Sequence, residues 1–483
     1  MIAIFTAFTR FMISTAFVLC LTLLSKQELY PQQQPVRQQP TTQQKTGQSS
    51  PQNQAHLQTA SQQLLTLDEA IRIALEKNYS IRIARNAGTI ADNNANGLKG
   101  IGAAGMLPNV NASGSWSESR DNVRQFFFNG TSQERTGART DRANASVQLT
   151  WTLFDGLQMF ALRDRFATLQ QQTDMALRQS VENTIAQVMT GYFTVVEQSV
   201  LLTAQRTALG LSRERLTIAV AKANLGSSSE LDAQNARVDY NADSAAYLRQ
   251  EAILINAKTA FLQILGDMTL YPDAPFQTDD SIAIVQNITL AEAQKQLSTR
   301  NTALRSASMD NTLAQIAVRQ AESFHYPTVN ASATYSYSGL DAEAGVLQTS
   351  QSNGLNVGIT AQVNIFNGFN IQRQIENAQV GALSAELQYK DLENRLISSL
   401  QQTYRSFQNS KTLVQLERDN VQIAHTAANV ALEKFRLGSM SSLDLRLVQQ
   451  NYILAESRLI TALANAKRAE IEIRRITGDF TKE

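Results

Sequence analysis

The 483-residue chain repeats one plan twice, and that repetition limits its architecture more than any other feature. Leu65-Thr66-Leu67-Asp68-Glu69-Ala70 returns as Ile288-Thr289-Leu290-Ala291-Glu292-Ala293. Leu107-Pro108-Asn109-Val110-Asn111-Ala112-Ser113 returns as Tyr326-Pro327-Thr328-Val329-Asn330-Ala331-Ser332. Leu153-Phe154-Asp155-Gly156 returns as Ile365-Phe366-Asn367-Gly368, and Leu225-Gly226-Ser227 with Leu231-Asp232 returns as Leu437-Gly438-Ser439 with Leu443-Asp444. Leu265-Gly266-Asp267 returns as Thr477-Gly478-Asp479. From Phe154 onwards the matching positions differ by a constant 212, so the halves are collinear without gaps. The expected divisions are 65–267 for the first repeat, 268–287 for a connecting segment, 288–479 for the second repeat and 480–483 for a tail.

Each half reads as helix, strand, loop, strand, long helix, turn, helix. The opening helices start with capping boxes, Thr66 with Glu69 and Thr289 with Glu292. Four segments then alternate apolar with small polar residues: 110–117, 146–153, 329–338 and 357–365. Their polar faces carry hydroxyls and amides and almost no charge. Each is roughly 9–11 residues long, enough to cross a bilayer as a tilted strand. Trp116, Trp151, Tyr335 and Tyr337 are the aromatic positions of this candidate barrel. A soluble sheet with one wet face shows the same alternation. Four strands cannot close a barrel, and an open sheet would leave unpaired edges in lipid. A membrane role therefore requires several copies to share one barrel.

After Gly156 no proline appears as far as Ala223, which predicts a helix on the order of 100 Å long. Val188, Val195, Leu202, Leu209 and Leu216 recur every seven residues. Leu400, Phe407, Val414, Val421, Ala428 and Phe435 do the same in the second half, as coiled-coil packing requires. Each long helix ends at a Leu-Gly-Ser tip, where Gly supplies the left-handed cap and Ser starts the next helix.

Before the repeats, Arg10 precedes an apolar run from Phe11 to Leu24, too short to span a bilayer as a helix. It reads as a signal peptide over 1–25, with an uncleaved anchor as the alternative. Cys20 is the single cysteine, and Leu19 before it is larger than a lipid-attachment signal takes, so a non-lipidated product is expected. Residues 26–64 are rich in Gln, Pro, Thr and Ser and read as a disordered tether. Lys+Arg is 43 against Asp+Glu at 42, which gives no electrostatic reason to bind nucleic acid. His56, His325 and His425 are far apart, and no phosphate loop, nucleophile–base pair or metal cluster stands out. The expectation is a non-enzyme with no catalytic residues, no cofactor and no metal.

These motifs, in this order and twice over, resemble the TolC-like outer-membrane efflux proteins across nearly all of Leu65 to Asp479. The resemblance implies a mainly α fold with a membrane β-barrel. A homotrimer would pool its strands into one twelve-strand barrel above an α-helical barrel that runs through the periplasm. It also implies an exit duct, for tripartite efflux or type I secretion, fed by a periplasmic adaptor and an inner-membrane transporter. The adaptor would meet the tips at Leu225, Gly226, Ser227, Leu437, Gly438 and Ser439. The family's gate pattern places Tyr three residues before the second tip Gly, Arg two after it, and Asp six and nine after it. Here those positions are Phe435, Met440, Asp444 and Leu447, and only Asp444 matches. Asp232 lies six after Gly226. Asp232 and Asp444 are thus the gate candidates implied, with helix capping as their plainer role. The competing class is an exported coiled-coil spacer without a channel.

Overall fold

The computed structural model describes residues 64–268, 276–279, 281–285 and 288–480. The expected leader, with Cys20, and nearly all of the tether lie outside that range.

The first repeat comprises α1 (Leu67–Lys77), α2 (Tyr79–Ala95), α3 (Gly97–Ala103), β1 (Asn109–Phe126), β2 (Ser132–Asp155), α4 (Gln158–Asn224) and α5 (Glu230–Leu265). The second comprises α6 (Leu290–Arg300), α7 (Thr302–Glu322), a 3-10 turn at Ser323–His325, β3 (Thr328–Ala342), β4 (Thr349–Gln362), α8 (Asn370–Arg436) and α9 (Ser442–Thr477). Both long helices have 67 residues and both return helices 36, starting and ending at positions 212 apart.

The opening segment is broken where one helix was expected. Asn78 and Asn301 leave helical geometry, and each side chain accepts from backbone N–H groups of the next helix. Their amides also donate to Ile264 O at 2.9 Å and Ile476 O at 2.8 Å. Each break is therefore fastened to the end of its own repeat. Gly266 and Gly478 take left-handed φ there, and an added Cβ would meet Lys77 O at 2.8 Å and Arg300 O at 3.0 Å. The following acids complete the joint: Lys77 pairs with Asp267 at 2.5 Å, and Arg300 with Asp479 at 3.0 Å. The Gly-Asp pair recurs because each half must close the same node. The capping boxes form by half: Glu69 N and Glu292 N bond to the Thr hydroxyls, while the Glu69 carboxylate turns to Arg72.

Gly156-Leu157 and Gly368-Phe369 carry the chain from strand into long helix in left-handed conformation. Asp155 Oδ1 accepts from Met159 N, and Asn367 Oδ1 from Asn370 N, which caps the new helices. A Cβ on Gly156 would lie 2.3 Å from Ser323 O, whereas Gly368 has open space. Gly156→Ala is therefore expected to destabilise by several kcal/mol. Gly368→Ala should cost only the left-handed strain of about 1–2 kcal/mol. Thermal unfolding of the two variants side by side checks the asymmetry.

The heptad positions are where the packing lies. Val188, Val195, Leu400, Phe407, Val414, Ala428 and Phe435 are buried, and Leu202, Leu209, Leu216 and Val421 are half-buried. Tyr192, Phe261, Phe276 and Leu265 centre the first-repeat core, and Leu297, Leu304, Leu400, Phe407 and Ile473 the second. The described residues between the repeats, 276–279 and 281–285, are bonded to these helices. Lys258 Nζ donates to Phe276 O, Asp279 N to Tyr192 Oη, Lys467 Nζ to Ala283 O, and Val285 N to the buried Glu470.

The sheet is antiparallel in the order β1-β2-β3-β4, and β2–β3 pairing joins the two repeats. The strands have 18, 24, 15 and 14 residues, longer than expected. The alternation leaves the stretches between Ser117 and Ala145 and between Ser338 and Val357 as loops facing outside the cell, but 118–126, 132–144, 339–342 and 349–356 within them are strand. Cross-strand and near-neighbour ion pairs explain the extension, among them Arg124–Glu134, Arg139–Glu118 and Arg139–Asp141. At the other end β4 stops at Gln362, so 363–365 lie outside it.

Candidate channel surfaces and hairpin tips

Directly paired residues of an antiparallel sheet share a face. One face carries the rows Ala112–Val147–Tyr335–Leu355 and Val110–Leu149–Ala333–Val357. It continues through Trp151–Ala331–Ile359. Trp116, Val147, Trp151, Tyr335, Val357 and Ile359 are all exposed on it. The opposite face carries Ser113–Ser146–Ser336 and Asn111–Gln148–Thr334–Asn356. Its groups bond to one another: Ser113 with Ser146 at 2.8 Å, Ser338 to Asn144 at 2.9 Å, and Thr152 to Asn330 at 3.0 Å. Charge begins at the row Ser117–Arg142. Ala143, paired with Trp116, and Trp151 are eight β2 positions apart, which span ~20 Å normal to a membrane at ordinary strand rise and barrel tilt. Trp151 also donates from Nε1 to Met106 O at 2.9 Å. β1 and β4 have free outer edges among the described residues.

At the far end of the helices the two tips are built alike. Gly226 and Gly438 have φ of 71° and 80°. Ser227 N donates to Lys222 O, and Ser439 N to Lys434 O, both at 2.9 Å, satisfying carbonyls at the helix ends. Leu225 and Leu437 are each 83% exposed. Asp232 accepts from Ser228 Oγ at 2.8 Å, and Asp444 from Ser441 Oγ at 2.7 Å while its own N–H returns to that oxygen. Each aspartate is thus engaged in the turn of its own hairpin. Phe435 is buried with Leu445, Ala431 and the half-buried Met440 and Ile218, so the second tip is packed onto α4 of the first hairpin.

Sequence reasoning missed the charged groups joining the hairpins. Lys222 of α4 donates to Phe435 O at 2.6 Å and sits 4.4 Å from the centre of its ring. Arg436 of α8 pairs with Glu214 of α4. Higher up, Arg446 of α9 donates to Asp243 of α5 at 2.5 and 2.9 Å, and Ser212 of α4 donates to the same carboxylate. Arg215 of α4, fully buried, pairs with Asp239 of α5 at 2.6 Å. Burial pushes the Arg215 guanidinium down, and the bond to Asp243 holds Arg446 up. Gln449 lacks protein partners on both amide atoms and lines a cavity of about 320 Å³ with Gln205, Asp243 and Arg446, room for bridging water. These partners are 24 to 222 positions apart, and the i,i+4 spacing of Asp239 and Asp243 on α5 is their one trace in the sequence.

Tyr452, on α9, is pushed up to about 12 by burial and by its bond to Glu456. A folded-state pKa above the unfolded value gives stability that is present below ~10 and lost as pH rises towards 12. Alkaline unfolding should show this loss, and Tyr452→Phe should remove it.

Among the described residues no group of three or more His, Cys, Asp or Glu is placed to hold a metal, and no helix is long and apolar enough to cross a membrane. The sequence profile of the outer membrane efflux protein family matches residues 70–267 and 293–479. This chain belongs to that family. It is 24% identical over 379 residues to Outer membrane protein TolC of Escherichia coli (strain K12), covering 74% of each chain. It is 20% identical over 421 residues to Outer membrane efflux protein BepC of Brucella suis biovar 1 (strain 1330), covering 86% of each. Its fold matches the CmeC outer membrane channel of Campylobacter jejuni with a TM-score of 0.70 at 15% identity, covering 85% of both chains. The family likeness and the mainly helical fold with one antiparallel sheet agree with the resemblance read from the motifs.

Proposed function

We propose that the efflux protein is the exit duct of a tripartite efflux or type I secretion assembly, working as a homotrimer. The observation that carries this is the four-stranded sheet with two free edges, an exposed apolar face and an uncharged polar face. Lipid permits no unpaired strand edge, and four strands are too few to close. Three copies supply twelve strands, with lipid outside and water inside. The paired long helices then hang from the barrel into the periplasm, and the tips at Leu225–Ser227 and Leu437–Ser439 face the adaptor and transporter.

The same reading assigns the resting gate to the bonds between hairpins. Lys222–Phe435, Arg436–Glu214 and Arg446–Asp243 hold the α8–α9 hairpin against α4 and α5. Phe435 and Met440 belong to this gate by packing. Asp232 and Asp444 shape the turns, and their repetition around a threefold axis would add a ring of carboxylates that favours cations. Native mass in detergent and conductance across a planar bilayer test the duct. A stable monomer that passes no ions would end this reading and leave the coiled-coil spacer.

A further inference from the structure

The β1–β2 hairpin outruns the rest of the sheet. Pairing of β2 with β3 ends at Thr140–Ala342, but β1 and β2 stay paired to Phe126–Ser132. That overhang is on the order of 20 Å long at ordinary strand rise. It does not continue straight. A register shift lies between Asp121 and Val123, Gly137 takes φ of 68°, and Gly137 N donates to Asn122 Oδ1 at 2.9 Å. Such a bulge bends a strand pair.

The bend is fastened on one side. Glu343, in the turn between β3 and β4, accepts from Arg139 N through its carboxylate and donates its own N–H to Arg139 O. Its carbonyl takes Arg135 Nη1 at 2.7 Å. The Gln125 amide of β1 lies 4.0 Å from where a Cβ on Gly345, in the same turn, would stand. β1 is separated from β3 by β2, so this proximity means that the hairpin leans towards the β3–β4 turn. In the proposed barrel, a lean over the concave face carries the tip above the lumen.

The tip is apolar and exposed. Phe126 is 74% and Phe128 115% exposed. Beneath it charge is balanced locally: Arg120 pairs with Glu118, Arg124 with Glu134, Arg135 with Glu343 and Arg139 with Asp141. Like copies can therefore approach without strong repulsion. A twelve-strand barrel with strands ~4.8 Å apart and tilted ~40° has a radius of about 12 Å. The overhang is longer than that radius.

We infer that the Phe126-Phe127-Phe128 tips of three copies converge on the pore axis and close the outer mouth, a second constriction opposite the helical tips. This rests on the trimeric duct reading. The occupant of each apolar tip is the same tip of the neighbouring copies. Phe clusters of this kind exclude water and ions from a narrow passage until it widens.

The test uses the full chain in a Cys20→Ser background, with trimer confirmed by native mass before any other measurement. Absence of trimer removes the duct reading itself. In confirmed trimer, Phe128→Cys should form disulfide-linked dimers on mild oxidation. Val346→Cys, on the exposed β3–β4 turn, should not. With Asp243→Ala added to relax the opposite end, replacing all three phenylalanines by Ser should raise conductance by about twofold or more. Trimer in which Phe128→Cys stays uncrosslinked, or crosslinks no better than Val346→Cys, overturns the inference.

Discussion

Asp243→Ala should leave the trimer assembled but leaky, with several-fold higher conductance at rest. Asp243 is the acceptor shared by Arg446 of the second hairpin and Ser212 of the first. It is the bond that ties α9 to α4 and α5 with least water around it, since Arg446 and Asp243 side chains are 17% and 14% exposed. Removing one partner of such a pair leaves the other charge buried and costs about 3–5 kcal/mol. In the proposed trimer three copies suffer the loss together. Arg446 is then left facing Arg215, whose Nε and Nη1 lack protein partners and which it repels. Separation of the hairpins is the direction that relieves both. The exchanged pair Asp243→Arg with Arg446→Asp should restore low conductance, because the attraction is kept while its polarity is reversed. Lys222→Ala, which removes an outer bond around Phe435, should act in the same direction but less strongly. Single-channel recording of the three variants ranks them, and equal conductance in all would take the gate away from these residues.

Leu149→Arg should abolish membrane assembly. Leu149 sits mid-face in the row Val110–Leu149–Ala333–Val357, far from the charged row at Arg142. An arginine facing lipid near the midplane costs about 2–4 kcal/mol, and a trimer meets that cost three times. Gln148→Arg, one residue away on the polar face beside Asn111 and Thr334, should assemble and shift ion selectivity towards anions. Outer-membrane yield and heat-resistant oligomer on gels separate the two. If both variants assemble equally, the assignment of the outer face is wrong.

Much of this was legible in the residues. The period of two in 110–117 and 329–338 marks both the strands and their faces, because alternation survives whatever the strands pair with. The heptad from Leu400 to Phe435 marks the buried seam for the same reason. What could not be read depends on pairing across the fold. Glu118 to Arg142 looks like a polar loop until Arg124 is set beside Glu134, and Arg139 beside Glu118, on the next strand. Arg446 and Asp243 are unremarkable helix residues in sequence, and only the docking of two hairpins brings them together. Gly156 and Gly368 look alike in the repeat, yet only Gly156 lies against Ser323 from the other half. Asp232 and Asp444 drew attention by position, and the structure gives both a local bond in the turn.

The matched lengths of α4 with α8 and of α5 with α9 act as a ruler. Adding one residue to a single long helix would lower its end by ~1.5 Å and swing every later side chain by about 100°. The lower rim would no longer be flush, and the seam would face the wrong neighbour. Length changes below the barrel must therefore come in pairs, one in each half. Nothing holds the outer strand ends to that bargain, which is why one hairpin is free to outgrow its counterpart.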